Sequence, residues 1–381
     1  MIKEIPKITN SKLIIIKIGS SLLIKNNKFN KKKLNEIILD IIEFRKERIN
    51  IIIVASGAVA LGKDYLNVDN RKKTSISEKQ ALASCGQSLL MKNFIDLFEK
   101  KKIKVAQILI TSSDTEDRER SLNARDTISI LLKSDIIPII NENDSVSNEE
   151  IKFGDNDRLA ARVAQISNAD FLILLSDVDG LYDKDPTVNK KARLIKKVKK
   201  IDKKLTERLT SHTNEFGSGG MKTKVQAAQI ALNSGCNTII SSGKVKRPLT
   251  QIVKKSNENF TWFIPKENKS KNNNLFKNWL AGSIKVYGTL IIDDGAYIAL
   301  KNGASLLPSG VISVRGKFKS GDIIEIATKN KKVVARGIVS YNFKEAKLIS
   351  GKKSFQIEKI LGYLGKEEII HRDYMTLENT C

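Results

Sequence analysis

Short apolar runs alternate with longer amphipathic segments over residues 12–262. The apolar runs are nearly continuous, which is typical of strands buried on both faces of a sheet. The segments between them repeat apolar residues at the period of a helix. This alternation predicts an α/β fold, a mostly parallel sheet sandwiched by helices. The predicted strands are 12–18, 50–55, 104–110, 136–140, 171–176 and 237–241, and the predicted helices include 33–48, 78–101, 121–133 and 156–168.

The pattern changes near residue 265. Residues 266–280 are mostly polar and carry no apolar period, so they predict a linker. Beyond them, short strand candidates alternate with single glycines, which is typical of a small, mainly β barrel. We therefore expect an α/β domain at 1–265 and a β domain at 281–381. The predicted strands of the second domain are 284–292, 296–300, 311–314, 322–327 and 332–340.

The chain is strongly basic, with 67 Lys and Arg against 42 Asp and Glu among 381 residues and a formal net charge of +25. Such a charge suits a nucleic-acid partner. The charge is spread evenly, however, since residues 281–381 carry a net +6 and the other residues a net +19. Lys, Ile and Asn are all abundant, so we favour compositional drift over an RNA-binding role as the origin of the charge.

Few cysteines and histidines limit the chemistry. Cys85, Cys236 and Cys381 are too widely spaced for a zinc motif or a disulfide framework. With His212 and His371 as the two histidines, we expect neither a catalytic triad nor a metal held by protein ligands. The amino terminus lacks the apolar core of a signal peptide, and no apolar run has the length of a membrane span. We therefore expect a cytoplasmic protein that does not contact a membrane.

The first predicted strand ends in a lysine followed by glycine and serine, Lys17 to Ser21. A lysine within an apolar run is costly unless an anion meets it. The small residues after it supply N–H and hydroxyl donors, which favours a phosphate site. A second strand ends at Ser56 and Gly57, and the alternative there is a plain strand–helix turn. Asp64 stands where a P-loop needs Ser or Thr, so we reject that motif.

Polar clusters at 141–144 and 154–157 follow the strand at 136–140. Paired Asp and Asn side chains can hold an ammonium group, orient lysines or reach a metal, although these residues also favour turns and N-caps. Residues 176–186 form a polar loop that follows the strand 171–176. They could belong to the same site, and the alternative is an exposed acidic loop that binds nothing. The glycine-rich segment 217–220 opens a helix with two lysines in its first turn. Cations are unfavourable there unless an anion neutralises them, which indicates phosphate binding.

In this order, the segments resemble the amino acid kinase family, and within it the members that phosphorylate glutamate. The tail resembles the PUA domain that bacterial members of this group append. The resemblance covers essentially the whole chain. The matching segments are 17–21, 54–58, 117–127, 141–144, 154–157, 176–182 and 219–224 in the kinase part, and 293–296, 305–310, 316–322 and 361–363 in the tail.

The resemblance implies phosphoryl transfer from ATP, accompanied by Mg²⁺, to the side-chain carboxylate of L-glutamate. The product is L-glutamyl 5-phosphate, in the first step of proline biosynthesis. The resemblance also implies a homo-oligomer, a dimer or a tetramer. The implied catalytic residues are Lys17, Lys224 and Asp157, with Asp157 orienting the lysines; the implied glutamate-binding residues are Ser56, Asp144 and Asn156; and the implied ATP-binding residues are Lys17, Ser176, Asp177, Ser218, Gly219, Gly220, Met221, Lys222, Thr223 and Lys224.

Two alternatives stay open on the sequence alone. The first is a related kinase that acts on acetylglutamate, aspartate, carbamate or UMP, which the PUA-like tail disfavours. The second is an RNA-binding protein with a vestigial kinase domain, which the intact lysines and acidic clusters disfavour. A γ-carboxylate is already ionised at neutral pH, so its phosphorylation needs no general base, and this suits a chain with so few histidines.

Overall fold

A computed structural model describes residues 8–26, 28–69, 74–147, 156–184, 186, 188–201, 205, 220–253, 259–265 and 286–377. The chain divides into two compact units, Met1–Glu267 and Asn268–Cys381. The predicted linker at 266–280 lies outside the described residues. None of the helices in the described ranges combines the length and the apolar character that a membrane crossing requires.

The first unit is built on an eight-stranded sheet with the strand order β5-β6-β4-β1-β7-β9-β10-β8. Its neighbouring strands pair in parallel, except for the antiparallel pair β9 and β10. A short hairpin, β2 with β3, lies beside it. The sheet confirms the six predicted strands to within two residues at each end. The strands are β1 Leu13–Ile18, β2 Ile24–Lys25, β3 Lys28–Phe29, β4 Asn50–Val54, β5 Val105–Ile110, β6 Ile137–Glu142, β7 Phe171–Ser176, β8 Lys197–Val198, β9 Asn237–Ser242 and β10 Phe260–Phe263.

Helices cover both faces of this sheet, as the continuous apolar strands predict. Ile14 and Ile16 of β1 pack in one core cluster and Leu13 and Ile15 in another, because successive side chains of a strand point to opposite faces. Helices α2 and α4 contribute to the first cluster, and α7 and α8 to the second. The helices of this unit are α1 Ser20–Leu23, α2 Lys31–Lys46, α3 Ala58–Tyr65, α4 Ile76–Glu99, α5 Ser112–Glu116, α6 Arg118–Lys133, α7 Asn156–Ser167, α8 Met221–Asn233 and α9 Pro248–Val253.

Two glycines let α3 and α4 touch through their backbones. A Cβ atom on Gly62 would lie 1.9 Å from the carbonyl oxygen of Leu82, and one on Gly86 would lie 1.8 Å from that of Ala58. Only residues without a side chain fit at these two positions. This contact fixes α4 against α3, the helix that directly follows the Ser56–Gly57 turn.

The second unit contains a five-stranded sheet in the order β12-β11-β13-β14-β15, packed around its own apolar cluster. The mainly β prediction is confirmed, but the strand predicted at 296–300 is wrong. These residues lie in a helix because Asp293 caps its first turn and accepts a hydrogen bond from the Ala296 N–H at 2.7 Å. The elements are β11 Gly288–Ile292, α10 Asp294–Lys301, β12 Val311–Gly316, β13 Ile323–Thr328, β14 Val333–Ile338, α11 Phe343–Ile349, α12 Ile357–Leu361 and β15 Met375–Leu377.

Candidate functional site

The carboxyl ends of β1, β4, β6 and β7 bring the polar residues of the first unit to one edge of its sheet. These four strands are consecutive neighbours and run parallel. Lys17 on β1 lies in register with Val54 on β4 and with Leu174 on β7. Ligands of open parallel sheets bind beyond this edge, so it is the candidate active site.

A buried carboxylate joins two lysines at this edge. Asp157, in the first turn of α7, is 0% exposed. Its Oδ1 atom lies 2.6 Å from the Nζ atom of Lys17, and its Oδ2 atom lies 3.0 Å from the Nζ atom of Lys224. The Thr223 hydroxyl lies 3.3 Å from the same Oδ2 atom. The two lysines, more than 200 residues apart in sequence, thus meet at one side chain.

The two ammonium groups keep Asp157 ionised. Burial raises the pKa of Asp157, but the charges and hydrogen bonds of Lys17 and Lys224 outweigh it and hold that pKa below its ordinary value. Both lysines are almost fully buried, at 4% exposure each. Two buried ammonium groups this close together make a place that favours an anion. The arrangement therefore suits a phosphoryl group.

Of the segment 218–224, which the sequence analysis expects to bind ATP, the structure describes the residues from Gly220 onward. Gly220 precedes α8 with an extended backbone. Because glycine has no side chain, it cannot cap the first N–H groups of that helix. Lys222 is exposed, whereas Lys224, half a turn later, is buried against Asp157. Met221 and Thr223 are half-buried. Ser218 and Gly219 lie outside the described residues.

Ser176 ends β7, the strand next to Lys17. Its side chain is buried, and its hydroxyl accepts a hydrogen bond from the Val178 N–H at 3.3 Å. Its carbonyl oxygen accepts one from the Gly243 N–H at 2.7 Å, which joins the ends of β7 and β9. Asp177 is exposed. These two residues therefore lie at the sheet edge, one buried and one facing solvent.

Three side-chain amides form a chain of hydrogen bonds near the ends of β4 and β6, on the side of β1 opposite to β7. The Nδ2 atom of Asn156 donates to the carbonyl oxygen of Ala55 and, at 2.6 Å, to the Oδ1 atom of Asn141. The Nδ2 atom of Asn141 in turn donates to the Oε1 atom of Gln87 at 2.6 Å. We call Asn156, Asn141 and Gln87 the amide relay. Beside it, the buried hydroxyl of Ser56 has no hydrogen-bond partner among the described residues, so it is available to a ligand.

Two acidic side chains at the end of β6 have raised pKa values. Burial, opposed by the Ser112 N–H and reinforced by the charges of Asp144 and Asp114, raises the pKa of Glu142 to about 7. Burial raises the pKa of Asp144 to about 6. Displaced pKa values in a cleft are a mark of functional sites. An ammonium group placed beside Asp144 would favour its ionised form.

The structure brings together most of the residues that the sequence pointed to. Lys17, Asp157 and Lys224 are in contact, Ser56 lies just beyond the end of β4, and Asn156, at the start of α7, bonds to the neighbouring Ala55 carbonyl oxygen. Sequence reasoning missed Gln87, which lies on α4 and far from any motif. Gln80 and Gln87 are seven residues apart, so they lie on one face of the helix, two turns apart. This pair of amides was the feature of the sequence that could have indicated a role for Gln87.

Sequence comparison agrees with this architecture. The model of the amino acid kinase family matches residues 12–242, and that of the PUA domain matches residues 288–361. The chain belongs to the amino acid kinase family.

Individual relatives are similar to this chain over nearly its full length. The chain is 48% identical over 365 residues to the glutamate 5-kinase of Pelagibacter ubique (strain HTCC1062), with 96% of this chain and 98% of the relative covered. It is 42% identical over 370 residues to the glutamate 5-kinase of Paramagnetospirillum magneticum, with 97% and 98% covered. Among solved structures, the UMP kinase from Ureaplasma parvum aligns with a TM-score of 0.46 at 13% identity, covering 66% of this chain and 98% of that one.

Proposed function

We propose that this protein transfers the γ-phosphoryl group of ATP to the side-chain carboxylate of L-glutamate. The products are L-glutamyl 5-phosphate and ADP, and the reaction is the first step of proline biosynthesis. The observation that carries the proposal is the buried pair of lysines on Asp157, an anion-binding centre next to a polar strand-end cluster. Two proteins named glutamate 5-kinase, which match nearly the full length of this chain at 48% and 42% identity, support it.

The chemistry needs charge neutralisation and alignment rather than a base. A γ-carboxylate is ionised at neutral pH, so one of its oxygens attacks the γ-phosphorus directly while the bond to the β–γ bridging oxygen of ATP breaks. Lys17 and Lys224 neutralise the charge on the moving phosphoryl group. Asp157 holds both ammonium groups in place, because each lies within 3.0 Å of a separate carboxylate oxygen.

The remaining residues divide between the two substrates. We assign Ser56, Asp144 and Asn156 to glutamate, since they gather at the ends of β4 and β6 and at the start of α7. The ATP phosphates are assigned to Lys17 and the 218–224 segment, which includes Gly220, Met221, Lys222 and Thr223. Ser176 and Asp177 lie beside the nucleotide in this assignment.

Mg²⁺ enters as part of the substrate, bound to ATP. Among the described residues no group of three or more His, Cys, Asp or Glu side chains is placed to hold a metal ion. Mg²⁺ in kinases takes many of its ligands from phosphate oxygens and water, so a protein cage is unnecessary. We further propose that the enzyme is cytoplasmic and homo-oligomeric, with a kinase domain at 1–265, a linker at 266–280 and a PUA domain at 281–381.

A coupled assay of ADP release tests this function. With MgATP, L-glutamate should stimulate ADP release, and hydroxylamine should trap the acyl phosphate as the γ-hydroxamate. Acetylglutamate, aspartate, carbamate and UMP serve as matched alternative acceptors. Folded protein that releases ADP with one of these but not with L-glutamate would contradict the proposal and favour a related kinase.

A further inference from the structure

The amide relay has a fixed direction. Asn156 faces the carbonyl oxygen of Ala55, which can only accept a hydrogen bond, so its NH₂ group must point there. The same NH₂ group then presents its second hydrogen to Asn141, which must answer with its oxygen. Asn141 consequently presents its own NH₂ group to Gln87, which must answer with its oxygen as well. One backbone carbonyl thus sets the orientation of three side chains.

This direction determines what the relay offers to a ligand. Both hydrogens of the Asn156 amide are used inside the relay, and its Oδ1 atom has no hydrogen-bond partner in the described part of the chain. An amide oxygen can only accept. In L-glutamate at neutral pH both carboxylates are ionised, so the α-ammonium group is its one hydrogen-bond donor. Any hydrogen bond between the Asn156 Oδ1 atom and glutamate must therefore come from the ammonium group.

Helix α4 holds the outer end of the relay rigidly. Gly86, adjacent to Gln87, lies in backbone contact with α3. Two turns earlier, Gln80 donates from its Nε2 atom to the carbonyl oxygen of Ser147 at 3.1 Å, so the same helix face also holds the turn that contains Asp144. The position of Gln87 relative to Asn141 is consequently fixed by packing.

We propose that Gln87 is a positioning residue which, through Asn141, keeps the oxygen of Asn156 directed at the ammonium group of the acceptor and so selects an α-amino acid. The proposal rests on the proposed function. Gln87 acts by accepting from Asn141; without that acceptor, the bond from Asn156 is the one remaining bond of the relay that opposes rotation of the Asn141 amide. A rotated Asn141 would present NH₂ to the NH₂ of Asn156, and the alignment of Asn156 would be lost.

The test measures two constants in the full-length protein. Gln87→Met keeps the length of the side chain but removes the acceptor, and it should raise the KM for L-glutamate about tenfold, the scale of one hydrogen bond to a charged group. The inhibition constant of glutarate, which has both carboxylates and no ammonium group, should stay unchanged. The KM for ATP should also stay unchanged.

Three further variants complete the design. Gln87→Glu keeps an oxygen toward Asn141 and should restore a near-normal KM for L-glutamate, whereas Gln87→Lys places a donor there and should reproduce the loss, even if the Met variant fails to fold. Asn93→Leu is the matched control, because Asn93 lies on the same helix and, among the residues that the structure describes, its side chain bonds only to the Leu89 carbonyl oxygen.

The outcomes separate the inference from the function on which it rests. A parallel rise in the glutarate constant, or a Glu variant as impaired as the Met variant, would overturn the positioning role. An unchanged KM for L-glutamate in folded Gln87→Met would overturn it as well. Wild-type protein without glutamate-dependent turnover would instead overturn the proposed function.

Discussion

At the scale of single residues, the site depends on Asp157 and its two lysines. A fully buried carboxylate is tolerated here because two ammonium groups lie within 3.0 Å of it. The two ammonium groups held side by side favour a bound anion. In the proposed mechanism the same contacts serve stability and catalysis, so we expect substitutions at these positions to affect both.

Lys17→Ala and Lys224→Ala should each lower kcat by roughly 10²–10³, the scale of losing one preorganised charge stabiliser. The effects should not add in the double variant, because both lysines act on one phosphoryl group. Each variant should also melt at a lower temperature, since Asp157 keeps only one of its cations. Steady-state kinetics and circular dichroism measure the two effects.

The matched control is Lys46→Ala, an exposed lysine on α2 that pairs only with Glu43 at 3.2 Å among the described residues. It should leave turnover and melting temperature unchanged. Near-normal turnover in either site variant would remove that lysine from the mechanism.

At the scale of elements, the backbone contact between α3 and α4 links two parts of the proposed glutamate site. Helix α3 follows the Ser56–Gly57 turn, and α4 carries Gln87. Gly57 directly precedes α3 with a φ of +115°, a conformation that side-chain-bearing residues rarely adopt. The positions of Ser56 and of the amide relay thus depend on how closely two helices pack.

Gly86→Ala should force α3 and α4 apart, because its Cβ atom would lie 1.8 Å from the Ala58 carbonyl oxygen. We expect a loss of about 1–3 kcal/mol in the free energy of unfolding, as for other overpacked sites. Gln87 moves with α4, so the KM for L-glutamate should rise while the KM for ATP changes little. Denaturant unfolding and kinetics check both effects.

Ser84→Ala, two residues earlier on the same helix and exposed, is the control for a changed helix propensity. It should leave both constants as they are. A Gly86→Ala variant as stable as the wild type would show that the two helices can separate freely.

At the scale of the whole molecule, two units with separate apolar clusters share one chain. Every residue assigned to catalysis or substrate binding lies before Glu267. The tail after residue 281 carries a net +6, no more per residue than the rest of the chain. The distribution of charge therefore gives no reason to expect that the tail binds RNA more strongly than the rest of the chain does.

A truncated protein that ends at Glu267 should remain folded and should keep glutamate-dependent turnover. Changes are expected in regulation, oligomer stability or Mg²⁺ demand, which kinetics and light scattering measure. Binding of the full chain to RNA should be weak and should fall steeply with salt, as for nonspecific phosphate contacts.

Tight binding to one RNA that persists at about 200 mM salt and disappears with the tail would favour the RNA-binding alternative instead. A truncated protein that is folded and inactive would show that the tail helps to build the site.

The sequence by itself determined the α/β sheet, because strands such as 13–18 and 171–176 are apolar apart from Lys17 and Ser176, and the polar clusters lie at the strand ends. It also pointed to Lys17 and Lys224, since a lysine within an apolar strand or at a helix start is costly without an anion, whereas the role of Asp157 came from the family resemblance. In the tail, local periodicity was insufficient. Residues 296–300 form a helix because Asp293 caps it, and five residues are too few to separate the two periods.

Only the tertiary structure decided which side chains meet. Strand order brings residue 17 beside residue 157 and residue 224, and the path of the chain from β4 to α7 brings Ala55 to Asn156. Gln87 lies on α4, where the pattern of apolar residues predicts which helix face packs in the core and nothing about polar contacts. Its partner Asn141 is 54 residues away in the sequence. Hydrogen bonds between distant side chains depend on ångström-scale placement, which helix and strand periodicity does not encode.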